Sequence, residues 1–172
     1  MNLVVLGCGR SGTSLVAGLF ERAGFHVGSR VHPTRDSNPT GFFESGEINQ
    51  INNRVLEART SRNGLTGWVG VYDDVVDRLP EDVRPRIERE VAVTPFCFKD
   101  PRFSFTLPAW RGALPKDTGF VCVFRHPALT ATSLVLEVQS AEYLAGTAFD
   151  LERAFELWTA TYREILGRES SE

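Results

Sequence analysis

The chain has 172 residues and a mass of 19.1 kDa, about one domain, long enough to bury roughly 70% of the surface its unfolded form exposes. Its 42% hydrophobic, 24% charged and 10% aromatic content excludes disorder, collagen and coiled coil. Nineteen basic residues against 22 acidic ones give a formal charge of −3, which argues against a broad footprint for nucleic acid or an acidic membrane, so any anion site is local.

Residues 2–6 form a leucine and β-branched run, followed by Gly7-Cys8-Gly9-Arg10-Ser11-Gly12 and then by Leu15, Gly18, Leu19 and Ala23 at helical spacing. The pattern predicts strand, tight loop, helix. Phe25-His26-Val27 is a short candidate strand, and residues 28–43, through Pro33, Pro39 and Gly41-Phe42-Phe43, read as a long surface loop. Ile48, Ile51 and Val55 predict a helix over about 44–59, and a polar helical stretch follows over roughly 73–93, interrupted near Pro80 and Pro85. Phe96-Cys97-Phe98 and Phe120-Val121-Cys122-Val123-Phe124 suit strands buried on both faces, with a short helix over 103–114 between them. His126-Pro127 opens a helix reaching about Gln139. Leu151, Ala154, Phe155, Trp158, Tyr162, Ile165 and Leu166 mark the apolar face of a last one. Strands alternating with helices predict an α/β domain, three layers α/β/α around a mainly parallel sheet, with ligands at the carboxyl ends of the strands.

Cys8, Cys97 and Cys122 are odd in number and lie in apolar runs, so they are expected to be reduced thiols. His26, His32 and His126 lack metal-ligand spacing, and no metal is expected. Residues 3–8 resemble a lipoprotein signal only faintly, lacking a basic n-region, and no run approaches the ~18 apolar residues of a membrane span. The expected compartment is cytoplasmic.

Gly7-x-Gly9-x-x-Gly12 satisfies a dinucleotide fingerprint, and Gly7-x-x-x-x-Gly12-Thr13-Ser14 satisfies a P-loop pattern with Thr13 where lysine is usual. Either way, backbone N–H groups at a helix N-terminus form an anion cradle. NADP binding has only Arg30 to hold a 2′-phosphate. A triphosphate kinase lacks its lysine and has only Asp100 for magnesium, although Arg10 could supply positive charge from another direction. A turn without ligand is the plain structural alternative. Two further segments end predicted strands: Lys99-Asp100-Pro101-Arg102, alone a salt-bridged surface turn, and Phe124-Arg125-His126-Pro127, whose Arg125 precedes Ser133 by eight residues. A guanidinium and a hydroxyl so spaced can close on one phosphate. Glu44 sits where the long loop enters a helix and favours the helix dipole.

Together these residues resemble the sulfotransferases that use 3′-phosphoadenosine 5′-phosphosulfate (PAPS), over residues 3 to about 166. Gly9-Arg10-Ser11-Gly12-Thr13-Ser14 is similar to the family's 5′-phosphosulfate loop in its bacterial and Golgi-type form. The strand ending in Arg125, with Ser133, is similar to its 3′-phosphate box, and Lys99 stands where members keep a lysine near the transferred group. The resemblance implies a P-loop-like sulfotransferase fold and transfer of a sulfuryl group to a hydroxyl or amine of a small-molecule, glycan, lipid or peptide acceptor. Gly9, Arg10, Ser11, Gly12, Thr13, Ser14, Arg125 and Ser133 would bind nucleotide, while Arg10, Lys99 and Glu44 would serve catalysis. The cytosolic branch's histidine, two residues after the lysine, is replaced by Pro101, which leaves Glu44 as the nearest base. The family's later strand and C-terminal segment are not matched, which keeps a nucleotide-binding module without turnover as the alternative and leaves a sheet edge that would favour self-association.

Overall fold

A computed structural model of the chain describes residues 1–29, 31–33, 41–57, 59–73 and 80–169. Arg30, Pro39 and residues 74–79 of the expected polar helix lie outside the described residues.

Three strands form a parallel sheet in the order β2-β1-β3: β1 (Asn2–Leu6), β2 (Cys97–Lys99) and β3 (Thr118–Cys122). The apolar run of β1 makes it the central strand, buried throughout, and each fully buried Leu or Val contributes about 1.5–3 kcal/mol. Alternation along the strand splits the core in two. Leu3, Val5 and Cys97 meet Val16 and Phe20 of α1 (Thr13–Arg22) on one face. Val4, Leu6 and Phe98 face the larger core, to which α2 (Gly46–Leu56), α3 (Arg84–Val91), α4 (Phe103–Arg111), α5 (Pro127–Ser140) and α6 (Leu151–Glu169) contribute. The parallel register aligns Val5 with Lys99, and Leu6 with Cys122. The loops after all three strands therefore open on one edge of the sheet.

Several expectations change in the folded chain. The candidate strand 25–27 is a single bridge from His26 to Phe96, beside β2. Among the described residues of the polar stretch over 73–93, the helix runs over Arg84–Val91, where Pro85 sits in the first turn with its fixed φ. β3 is not buried on both faces: Phe120, Cys122 and the following Phe124 are exposed, Phe124 by 63%, whereas β2, at the other edge of the sheet, is buried. The apolar face expected for α6 is also only half covered. Ala154, Leu157, Tyr162 and Ile165 are buried, whereas Leu151, Phe155 and Leu166 remain exposed, because the apolar residues of this helix span an arc wider than its neighbours cover. No described helix is long and apolar enough to cross a membrane.

Candidate functional site

The glycine loop between β1 and α1 requires its glycines for two separate reasons. A Cβ on Gly7 would lie 2.6 Å from the Val123 carbonyl oxygen, and Gly12 caps α1 in the left-handed region at φ 95°. Arg10, also left-handed at φ 66°, is a non-glycine residue in sparsely populated backbone space. The Thr13 and Ser14 amides open α1, where helix geometry supplies no intrahelical acceptor, and both residues line the cleft. Ser11 differs from its neighbours. Its N–H donates to the Cys8 carbonyl at 3.2 Å, and its buried hydroxyl is hydrogen-bonded with Tyr162 of α6 at 3.1 Å. It therefore shapes the loop from behind and does not line the cleft.

Lys99, the last residue of β2, is brought against this loop by its pairing with β1. Its side chain is only 4% exposed, and its ammonium donates to Ser14 Oγ at 3.1 Å, to the Phe42 carbonyl at 3.3 Å and to Glu44 Oε1, with which it forms an ion pair. Glu44 is placed by the start of α2, where Ser45 Oγ accepts the Ile48 N–H as an N-cap. Its other oxygen accepts from Asn49 Nδ2 at 3.3 Å. A loop hydroxyl, a cation and a carboxylate from three distant segments thus meet at one point.

Behind Lys99, the Lys-Asp-Pro-Arg segment is buried rather than a surface turn. Asp100 is 1% exposed and accepts from the Arg102 N–H and guanidinium on one oxygen, both at 2.9 Å. Its other oxygen accepts from Asn49 at 2.8 Å and Asn52 at 3.0 Å. Asn52 in turn accepts from Thr106 Oγ1 and Trp110 Nε1, each at 2.8 Å. Burial pushes the Asp100 carboxyl up, but the Arg102 guanidinium and the Asn52 hydrogen bond outweigh it and hold the group below the usual carboxylate range. The network fixes the corner from which Lys99 projects.

The other end of the cleft is built on α5. Arg125 follows β3; its guanidinium donates to the Arg10 carbonyl at 3.1 Å, and its own carbonyl accepts from Trp158 Nε1 at 3.3 Å. Arg10 Nε donates to Ser133 Oγ at 3.1 Å, and its Nη1 lies 3.3 Å from Glu137 Oε2. Arg10 therefore turns toward the Ser133 end and away from Lys99.

Of the residues expected from sequence, Gly9, Arg10, Gly12, Thr13, Ser14, Glu44, Lys99, Arg125 and Ser133 line one cleft of about 280 Å³. That is just below the lower end of the roughly 300–1,000 Å³ of small-molecule sites. Phe42 and Trp68, expected as walls of an acceptor pocket, also line it, whereas Tyr143 and Glu137, which line it too, and Asn49 and Asn52 beneath it were not singled out from sequence. Asn49 and Asn52 share a helix face with Ile48 and Ile51, and a polar pair on a buried stripe was the available signal. Glu137 follows Ser133 by one helical turn. Burial pushes the Cys8 and Cys97 thiols up to about 12, so neither is a nucleophile at neutral pH. Among the described residues no group of three or more His, Cys, Asp or Glu could hold a metal ion.

The cleft can grip an anion at two separated points and offers a lysine and a carboxylate near one of them. No protein-family model, curated protein or solved structure matches the chain.

Proposed function

We propose that the chain is a PAPS-dependent sulfotransferase of P-loop-like fold, transferring a sulfuryl group to a hydroxyl or amine acceptor and releasing adenosine 3′,5′-bisphosphate. The observation that carries this is the convergence, in one cleft, of the glycine loop, Lys99 with Glu44, and Arg125 with Ser133. The loop amides and Ser14 would hold the 5′-phosphosulfate, and Arg125 with Ser133 the 3′-phosphate. In the transfer, the acceptor oxygen or nitrogen forms its bond to sulfur as the sulfur–oxygen bond to the 5′-phosphate breaks. The acceptor proton passes to Glu44, and Lys99 offsets charge on the departing oxygen. Arg10, turned toward Ser133, supports the 3′-phosphate end more than the sulfonate. The acceptor is a small molecule, glycan, lipid or peptide.

A module that binds nucleotide without turnover is favoured by one observation, the Lys99–Glu44 ion pair, since the carboxylate is engaged until that pair opens. Acceptor-dependent release of bisphosphate from PAPS separates the two. Calorimetric titration with adenosine 3′,5′-bisphosphate beside AMP, ATP-Mg²⁺ and NADPH tests the nucleotide class. Micromolar binding that needs the 3′-phosphate is expected; tight ATP-Mg²⁺ or NADPH binding without that preference would replace the proposal with a kinase or NADP-dependent protein.

A further inference from the structure

The 3′-phosphate end proposed above contains a carboxylate that such a site does not need for affinity. Glu137 lines the cleft although its side chain is only 6% exposed. It follows Ser133 by four residues on α5, so the two side chains lie on one helix face, roughly 5–6 Å apart at their Cβ atoms. Its Oε2 is 3.3 Å from Nη1 of Arg10, while Nε of the same guanidinium donates to Ser133 Oγ. Arg10 is thereby clamped between a hydroxyl and a carboxylate. Its backbone is held too, through the Arg125 guanidinium on its carbonyl.

We infer that Glu137 is an internal competitor for the 3′-phosphate: it occupies Arg10 in the nucleotide-free cleft and must give up part of that interaction when a dianion arrives at Arg125 and Ser133. This deepens the PAPS proposal and rests on it for the identity of the anion. A phosphate seated between Arg125 and Ser133 meets the guanidinium that Ser133 and Glu137 share, and so approaches the carboxylate one turn along the helix. At such separations like charges in a partly buried site repel strongly. Glu137 therefore weakens nucleotides that carry a 3′-phosphate and leaves those with a free 3′-hydroxyl nearly unaffected. The benefit is turnover. A bisphosphate product held at two anion sites leaves slowly, and product release limits many enzymes; a built-in carboxylate speeds that departure while keeping Arg10 oriented.

Glu137→Gln keeps the volume and an acceptor for Arg10 but removes the charge. Titrated with adenosine 3′,5′-bisphosphate, this variant should bind about tenfold tighter than the parent chain, with AMP changed less than twofold. Adding Arg10→Ala should abolish the part of the gain that comes from freeing Arg10 and leave only the part that comes from lifting like-charge repulsion. Stopped-flow displacement should assign the change to slower release. Equal or weaker bisphosphate binding, or equal tightening of AMP, would overturn the inference. If neither protein binds the bisphosphate, the sulfotransferase proposal falls, and inorganic phosphate titrated into the same pair decides the role of Glu137 by itself: tighter binding to Glu137→Gln sustains it, and unchanged or weaker binding refutes it.

Discussion

The two ends of the cleft carry similar charges in different physical states. At the Lys99 end the ammonium, the Glu44 carboxylate and, beneath them, Asp100 and Arg102 are buried or nearly so, and are tied by hydrogen bonds to α2 and α4. At the Arg125 end the cation is exposed and follows a strand whose Phe120 and Cys122 are exposed. Burial at the first end leaves little room for rearrangement, which suits groups that must meet a reacting atom in a fixed geometry. Exposure at the second suits the contact that the proposed function requires to form and break with each bound anion. Substitutions should accordingly damage folding at one end and binding at the other.

The largest effect is expected at Asp100. Asp100→Asn strands Arg102 as a buried charge and sets a donor against the Asn49 and Asn52 amides, so urea unfolding should register a loss of about 3–5 kcal/mol; a loss below about 1 kcal/mol would show that the buried end is not held by this charge. Because the folded carboxyl titrates below its ordinary value, its contribution is complete above about pH 4 and fades as acid protonates it. The Tm gap between the parent chain and Asp100→Asn should be level from pH 7 to pH 5 and should narrow below about pH 4. A gap that persists undiminished in strong acid would assign the effect to packing.

Next in size is Lys99→Ala, which should lower turnover about 100-fold while moving bisphosphate affinity less than about threefold. An unchanged turnover would remove Lys99 from catalysis. Arg125→Ala should reverse that split, weakening bisphosphate binding about 10–30-fold, or about 1.4–2 kcal/mol, with unfolding free energy within about 0.5 kcal/mol of the parent. Comparable losses of stability and binding would mean the two ends are not physically distinct. The smallest is Tyr162→Phe, which removes the hydroxyl bonded to the Val123 carbonyl and Ser11 and should cost about 1 kcal/mol in thermal unfolding.

What was legible in the sequence is mostly local. Pro127 does open a helix, Ile48, Ile51 and Val55 do share a buried face, and the glycine loop does sit between a strand and a helix. The three strand ends were legible as anion-friendly segments because glycine, arginine and lysine each declare their chemistry without a partner. Asp100 was not: Lys-Asp-Pro-Arg reads as a solvated turn until Asn49, Asn52 and Arg102 close around it from α2 and the start of α4. The exposure of β3 was hidden for a related reason, since Phe-Val-Cys-Val-Phe reads the same whether or not other elements cover its faces. Arg10 is expected to serve catalysis because its loop resembles a 5′-phosphosulfate loop, and its turn toward Ser133 depends on α5.

The Ser11–Tyr162 hydrogen bond spans 151 residues of sequence. A ribosome adding about 5–20 residues per second therefore takes roughly 8–30 s between making the glycine loop and making the tyrosine that braces it. Throughout that interval the nascent chain carries its anion cradle without the brace. Premature nucleotide capture should be weak until the last helix emerges, so affinity measured on stalled nascent chains should rise late, with the arrival of Tyr162.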